Sequence, residues 1–448
     1  MITILSSKSP CGVTNGRRKP IRGLLFLLFF PLVLSAQTSW TLEQCINTAL
    51  ENNRNIKQQD LAKQSRTIAY EQARADLLPN LNAIAGQSYY FGMAPTSSDL
   101  KEKTPNSSRS SFGLSSGVTL FDGLRMKHNI DAKKAEMYAS EANLEKMRED
   151  ITLSVSTAFL QVVLNKELLQ IAEQQLSLTT ASIKQRKTLV ENGKMAEGEL
   201  YELFSQEAKE ELNRVRSESA LKLSLLDLAQ IMELDDFENM DVVVPQQLAE
   251  AELRLLSPEI VYENALTHRP EIKSSEYNLQ NSEKNVAIAQ SAYYPRLSFG
   301  ADVSTGYFST HPDMFSTQFA DNMSTSLGFT LNIPIFNRFS TRSNVRSAQL
   351  GVENSRLEIE NTKIALRKTI QQAYQNAVAA QSRWTAAEKS EKSAQEAFRF
   401  MEQKEAAGRA TQYELFQAKN NLTQVLSEKT QAKYEYVFRT MILEMYNK

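Results

Sequence analysis

The sequence predicts a mainly α-helical, internally duplicated protein in which long helical hairpins are joined to the strands of a transmembrane β-barrel. Three observations predict this class. The chain contains no proline after Pro334, it contains none between Pro105 and Pro245, and four other segments alternate apolar with small polar residues. Proline interrupts helices, so its absence leaves long helices available, whereas alternation is typical of strands with one apolar face.

The chain begins with a predicted secretory signal, residues 1–36. Basic residues precede an apolar run from Leu24 to Leu34, and Ser35-Ala36 fits a cleavage site. The run is too short to span a bilayer as a helix, so we expect a targeting signal and not a membrane anchor. Its five basic residues leave 46 basic against 52 acidic residues in the remainder, a balance that gives no indication of nucleic-acid binding.

A polar-faced helix is predicted from Thr41 to about Leu77. Thr41 and Gln44 form a capping-box pattern at its start. Cys45 lies in this helix, and because Cys11 lies in the predicted signal, Cys45 has no partner for a disulfide within the mature chain. We expect Cys45 to be buried as a small apolar side chain.

Two strands are predicted in each half of the chain, bounded by the predicted loops at residues 80–92, 110–120, 297–308 and 324–333. At about 10 to 13 residues, they suit a tilted bilayer crossing better than the alternative, a soluble sandwich. Open sheet edges in lipid would leave backbone groups unpaired, and four strands cannot close a barrel. We therefore expect three chains to supply 12 strands, with the loops Met93 to Arg109 and Ser309 to Met323 facing the exterior.

Each half ends in a long helical hairpin. In the second half, an arm of about 100 Å from Arg338 to Lys404 is followed by a turn at Gly408 and a returning helix from Thr411. The core of that arm is predicted to be Leu366, Ile370, Ala373, Ala377, Ala380, Trp384, Ala387, Ala394 and Phe398. The core of the first arm is predicted to be Ile151, Val155, Ala158, Val162, Leu169, Ala172 and Leu176.

A nearly constant offset relates the two halves. Phe336, Ala373, Gly408, Glu414 and Leu415 each have a residue of the same type 215 positions earlier. Ala49, Leu50, Ile56, Ala73, Pro79 and Leu81 each have one 216 positions later. The sequence therefore predicts a first repeat at residues 37–233, an acidic connector at 234–257 and a second repeat at 258–448. Ser257 caps the first helix of the second repeat, and Pro258 is its first residue.

The sequence does not favour an enzyme. His128, His268 and His311 lie in three different predicted elements, with no metal-ligand spacing and no phosphate-binding glycine loop. We therefore expect no catalytic residues, no cofactor and no metal site.

Each half of the chain has the order helix, short motif, strand pair, second short motif and hairpin. The motifs are Leu77-Leu78-Pro79-Asn80-Leu81 and Phe121-Asp122-Gly123 in the first half, and Tyr293-Tyr294-Pro295-Arg296-Leu297 and Ile335-Phe336-Asn337-Arg338 in the second. This twofold order resembles the TolC family of outer-membrane efflux proteins. The resemblance implies a homotrimer with a 12-stranded barrel in outer-membrane lipid and an α-helical tunnel in the periplasm. It also implies two partners, a periplasmic adaptor and an inner-membrane pump of the RND, ABC or MFS type.

The resemblance places a closed entrance and the adaptor docking site at the hairpin tips, Gly193, Lys194, Gly408 and Arg409. It places Glu199, Glu414 and Gln417 at the constriction, where Gln417 replaces an acid and Ala410 replaces a gating arginine of the family pattern. Two interpretations of the glutamates stay open. They line the pore and favour cations, or they stabilise the positive ends of the returning helices.

Two alternative functions follow from the same residues. Within transport, the chain is an outer-membrane channel for type I protein secretion. From another class, it is a periplasmic coiled-coil adaptor or interaction protein with a soluble β-domain. Membrane fractionation separates the classes, because a channel is recovered as a heat-modifiable outer-membrane trimer and an adaptor is released with the soluble periplasm.

Overall fold

The structure is a computed structural model that describes residues 38–95, 103–193, 196–235, 239–244 and 255–447. The predicted signal and much of the predicted connector lie outside these ranges. The elements are β1 (Thr38–Trp40), α1 (Leu42–Asn52), α2 (Arg54–Ala75), β2 (Asn80–Pro95), β3 (Lys103–Phe121), α3 (Arg125–Glu191), α4 (Glu197–Ile231), β4 (Met240–Val242), α5 (Pro258–His268), α6 (Pro270–Ser291), β5 (Arg296–Phe308), α7 (Phe315–Asp321), β6 (Ser324–Asn332), α8 (Ser340–Ala406) and α9 (Gln412–Asn447).

Both halves follow the order of two helices, two strands and a long hairpin. The long arms α3 and α8 each contain 67 residues, which at ~1.5 Å per residue gives a length of about 100 Å. The returning helices α4 and α9 contain 35 and 36 residues, so each runs back along only about half of its arm.

The predicted helix starts are confirmed, and one predicted helix is wrong in its length. Thr41 forms a complete capping box with Gln44, and the Ser257 side chain accepts the Ile260 N–H. The helix predicted from Thr41 to Leu77 is divided at Asn53. The Asn53 side chain accepts the Asn55 N–H at 2.9 Å and donates to the carbonyl of Ile231 at 3.2 Å, so a distant contact fixes the break.

The sheet is antiparallel, with strand order β2-β3-β5-β6. One hydrogen-bonded row crosses it through Asn80, Gly117, Gly300 and Gly328. The predicted common strand length is wrong, since the four strands contain 16, 19, 13 and 9 residues. β2 and β3 continue to pair within the segment predicted as a loop, and the second predicted loop contains α7.

The helices nearest the sheet form a layer in the same order as the strands they adjoin, α2-α3-α6-α8. Each of these helices leads directly into, or out of, one of the four strands. Further along α3 and α8, the neighbours become α4 and α9, and α9 also packs against α3. The strands and the helices that adjoin them thus form one continuous wall, with β2 and α2 at one edge and β6 and α8 at the other.

The predicted helix cores are largely confirmed. In the second arm the buried members are Leu366, Ile370, Ala373, Ala377, Ala380 and Ala394, and in the first arm they are Ile151, Val155, Val162 and Ala172. The largest cluster surrounds Phe159 and includes Cys45, which is buried as predicted. It also includes Met240 and Val242 of β4, which pairs with β1 in a small parallel sheet that the sequence did not predict.

Within the described part of the chain, every helix is too short or too polar to cross a membrane.

Candidate functional site at the hairpin tips

Both hairpins turn through a glycine in the left-handed backbone region. Gly193 has φ +66° and Gly408 has φ +68°. At the second tip, Gly408 N–H donates to the Glu405 carbonyl at 2.9 Å and Arg409 N–H donates to the Lys404 carbonyl at 2.8 Å, the two bonds of a Schellman turn. A Cβ atom added at either glycine would meet no atom within 4 Å, so the space beside both glycines is open. Lys194 lies outside the described residues.

Glu414 closes a capping box at the start of α9. Its carboxylate accepts the Thr411 N–H at 2.7 Å and the Thr411 hydroxyl at 2.9 Å, and its own N–H donates to Thr411 Oγ1 at 3.3 Å. These hydrogen bonds hold the pKa of the Glu414 carboxyl below its usual range. Glu414 therefore stabilises the end of a helix, in agreement with one of the two interpretations of the sequence.

Glu199 occupies the matching position of the first hairpin without the matching cap. The residue before α4 is Ala196, which has no side-chain oxygen, whereas the second hairpin has Thr411 at that point. Glu199 is half-buried in the first turn of α4. Gln417, the third predicted constriction residue, donates to the hydroxyl of Tyr413 at 3.0 Å. The two glutamates are equivalent in position and different in their hydrogen bonding.

The structure joins the two hairpins near their tips through residues that the sequence did not single out. Phe416 of α9 packs against a cluster of the first hairpin that contains Ile183, Leu200 and Leu203. Arg186 of α3 also forms an ion pair with Glu405 of α8 at 2.7 Å. No local pattern could identify these pairs, because their members are more than 200 residues apart.

A buried polar cluster forms a second connection between the hairpins. The ammonium of Lys419 in α9 donates to Thr179 Oγ1 at 2.6 Å and lies 3.7 Å from a carboxylate oxygen of Glu210 in α4. That oxygen also accepts hydrogen bonds from Gln206 and Gln175. Burial lowers the pKa of Lys419, and the neighbouring Glu210 opposes that shift.

No three histidine, cysteine, aspartate or glutamate side chains of the described ranges gather in a way that could hold a metal ion.

The arrangement of hairpins and sheet agrees with comparisons to known proteins. A family model described as outer membrane efflux protein matches residues 45–232 and 261–440, which is most of the chain. The chain belongs to this family. It is 22% identical to the outer membrane efflux protein BepC of Brucella suis, over 81% of this chain and 77% of BepC. It is 25% identical to the cation efflux system protein CusC of Escherichia coli, over 68% of this chain, and spans 64% of CusC.

The fold is that of known outer-membrane channels. The crystal structure of the CmeC outer membrane channel of Campylobacter jejuni superimposes with a TM-score of 0.76 at 18% identity, covering 91% of this chain and 85% of CmeC. This member of the outer membrane efflux protein family is accordingly an outer-membrane protein, as predicted. Family members are channels and not enzymes, and membership excludes the alternative of a periplasmic adaptor.

Proposed function

We propose that this chain forms a homotrimeric efflux channel. It passively conducts substrates delivered by an inner-membrane pump and a periplasmic adaptor to the cell exterior. The observation that carries the proposal is that the wall formed by one chain has two open edges, one at β2 and α2 and the other at β6 and α8. β2 and β6 each have only one neighbouring strand among the described residues, and they stand above α2 and α8 at the same two edges. Lipid does not tolerate such open edges, so copies of the chain must close them.

The helical edges carry apolar side chains at heptad spacing. Leu61 and Ile68 on α2 are exposed, as are Leu350, Leu357 and Ile364 on α8. A repeat of seven residues presents such side chains to one partner helix, as in coiled coils. Packing α8 of one chain against α2 of the next buries both rows while β6 pairs with the adjacent β2. Three copies supply 12 strands.

The polar face of the sheet is proposed to line the lumen. A cleft of about 780 Å³ opens on this side, and Ser298, Asp302, Ser326 and Thr330 contribute to its lining. Gln72 near the end of α2 lines it at the helical end. The opposite face carries exposed apolar side chains such as Phe329 and Leu331, which suit contact with outer-membrane lipid.

Interrupting the edge of the helical layer tests assembly. Leu357→Glu places a charge in the proposed contact between subunits, and we expect loss of the heat-modifiable trimer from the outer membrane. Glu358→Lys is the control, since this exposed position lies about 100° around the same helix. Wild-type trimers should conduct ions in planar bilayers without an energy source. A wild-type monomer that stays soluble without detergent would overturn the proposal.

At the entrance, we assign Glu199, Glu414 and Gln417 to the constriction. Gln417 lies one helical turn beyond Tyr413 on α9. Glu199→Gln should reduce the preference for cations in single-channel recordings, because three carboxylates near the axis are lost. Glu414→Gln removes three others and also weakens the capping box. If both variants keep the conductance and ion preference of the wild type, the glutamates do not line the pore.

The tips are proposed to dock the adaptor through Gly193, Lys194, Gly408 and Arg409. Open space around both glycines supports this assignment, because a partner can approach the backbone closely there. Gly408→Leu adds bulk at the tip. We expect it to abolish cross-linking to the adaptor in cells while heat-modifiable trimers persist. Retained cross-linking would place the docking site elsewhere. The same experiment identifies the pump class, RND, ABC or MFS, through the adaptor that is captured.

A further inference from the structure

The short helix α7 takes the place of a strand at the edge of the sheet. β6 begins at Ser324, opposite Ser304 of β5, although β5 continues to Phe308. Beyond Ser304, side chains of α7 and of its C-cap residue Asn322 make hydrogen bonds to β5 in place of a strand backbone. Gln318 accepts the Phe308 N–H at 2.9 Å and donates to the Phe308 carbonyl at 3.1 Å. Asn322 donates to the Gly306 carbonyl at 2.7 Å.

α7 is held firmly on the apolar side of the sheet. The ring of Phe319 contacts Phe112 of β3 at 5.8 Å, and Phe315 contacts Tyr307 of β5 at 5.5 Å between centroids. Gln318 is 3% exposed. Although the helix contains only seven residues, its backbone and side chains are thus fixed by contacts with two strands.

The register of the proposed trimer places one particular segment beside α7. The four strands of one chain, spaced by about 4.8 Å, cover about 19 Å of the barrel wall. If the strands are tilted by about 35–45° to the barrel axis, a hydrogen-bonded row reaches the next chain displaced by about 13–19 Å along the strands. At about 3.3 Å per residue, the shift is about four to six residues per chain. The row from Asn80 to Gly328 therefore continues at Ile84 to Gly86 of the adjacent β2, because β2 begins at Asn80.

In this register, β6 is too short to cover the adjacent β2. Ser324, the first residue of β6, faces Ser88 to Tyr90 of the adjacent strand, and β2 continues from there to Pro95. The uncovered part carries large apolar side chains, since Tyr89 is 67% exposed and Phe91 is 85% exposed in the single chain. Tyr89 lies on the same face as Ala85, the residue paired with Phe112, and Phe91 follows it at the bulge between Tyr90 and Met93.

We propose that α7 is a cap between subunits, which packs against Tyr89 and Phe91 of β2 in the adjacent copy of the chain. This inference rests on the proposed trimer and goes beyond it. The contact covers the edge of β2 that β6 leaves open and extends the aromatic cluster of Phe112, Phe315 and Phe319 across the subunit boundary. The side of α7 turned away from its own β5 carries Ser316 and Ala320, about opposite Gln318 on the helix.

Cysteine cross-linking in the full chain tests the contact. Ala320→Cys combined with Phe91→Cys should give covalent dimers and trimers with a short bis-maleimide. Ala320→Cys with Leu81→Cys is the matched control and should give none, because Leu81 lies ten residues from Phe91, near the other end of β2. The native Cys45 does not interfere, since burial raises the pKa of its thiol to about 11 and maleimides react with the thiolate.

A third pair separates failure of the cap from failure of the trimer. Leu327→Cys with Ala85→Cys spans the seam between β6 and the adjacent β2. If this pair forms covalent trimers and the Ala320/Phe91 pair does not, α7 faces lipid or solvent and the inference is wrong. If neither pair links, the trimer and the cap both fail.

Trimer dissociation provides an independent measurement. The Phe91→Ser change removes an aromatic ring that is exposed in the single chain, so it leaves the fold of each subunit unchanged. We expect it to lower the temperature at which solubilised trimers dissociate. An unchanged dissociation temperature would contradict the cap.

Discussion

The buried link between the hairpins permits a quantitative prediction. Lys419→Met keeps the length of the side chain and removes its charge, which leaves the Glu210 carboxylate buried without its cation. The side chains of Lys419 and Glu210 are 12% and 8% exposed, so solvent cannot replace the lost partner. Removing one member of a buried pair typically costs about 3–5 kcal/mol. Thr179 also loses the donor that lies 2.6 Å from its hydroxyl.

The loss should appear as local opening of α9 near its start. Because about 1.4 kcal/mol corresponds to a tenfold change in an equilibrium, a loss of about 3 kcal/mol raises the opening constant by about 100-fold. Amide hydrogen exchange of residues 412–425, measured on the detergent-solubilised trimer, reports this constant directly. Lys429→Met is the control. Lys429 pairs with Glu391 inside one hairpin and is more exposed, so its loss should cost less than about 1 kcal/mol.

A double substitution distinguishes the pair from its surroundings. Replacing Lys419 and Glu210 together by methionine removes both charges and the desolvation cost of each. Burial lowers the pKa of Lys419, so keeping this lysine charged at neutral pH opposes folding, and the pair gains little over apolar packing. We expect the double variant to exchange at close to the wild-type rate. Additive losses from the two single substitutions would refute the reasoning.

Three further predictions concern the backbone, the core and the tip. Gly123→Ala should destabilise the chain far more than Gly193→Ala in thermal unfolding. Both glycines have positive φ, but a Cβ at Gly123 would lie 2.7 Å from a backbone oxygen and one at Gly193 would meet nothing. Phe159→Ala should cost about 3–5 kcal/mol in the same assay, since Phe159 is fully buried. Thr411→Ala should raise the pKa of Glu414 part of the way towards the usual carboxyl range in an NMR titration, because the hydroxyl donor is lost while the backbone N–H of residue 411 remains. An unshifted titration would contradict the capping role.

Stability at the second tip should depend on pH with a definite sign. The pKa of Glu414 is lower in the folded chain than in the unfolded chain. Its contribution is therefore complete above the usual carboxyl pKa and disappears as the pH falls through the lowered value. Thr411→Ala should weaken this dependence, because it removes the hydroxyl donor and leaves the backbone N–H donor of residue 411 in place.

Local and periodic signals allowed much of the fold to be predicted. The Thr41 capping box, the Gly193 and Gly408 turns and the heptad cores depend on residues within one or two helical turns of each other, so they are readable in sequence. The break at Asn53 is different, because it depends on the carbonyl of Ile231, 178 positions away. α7 also escaped prediction, since seven residues carry too short a pattern and Gln318 is held by the backbone of β5.

The sequence offset predicted equivalent hairpins, and the side chains at their tips make them unequal. Moving Thr179, Glu210 and Phe204 forward by 215 positions gives Ala394, Val425 and Lys419. The polar cluster thus combines two residues of the first hairpin with one of the second, and its counterpart combines Ala394 and Val425 with Phe204. Ala394 and Val425 are buried in α8 and α9, whereas Phe204 is 40% exposed on α4.

We expect these two clusters to belong to different boundaries of the proposed ring. In the proposed trimer, the hairpins alternate around the axis, so every boundary within a chain is followed by one between chains. The boundary within the chain contains the polar cluster, where Lys419 meets Glu210, together with the apolar contact of Phe416. The equivalent boundary between chains brings Phe204 of one copy to Ala394 and Val425 of the next, and it is apolar. Because apolar burial is non-directional and a buried ion pair demands a fixed geometry, we expect the boundary within each chain to hold its geometry more strictly than the boundary between chains.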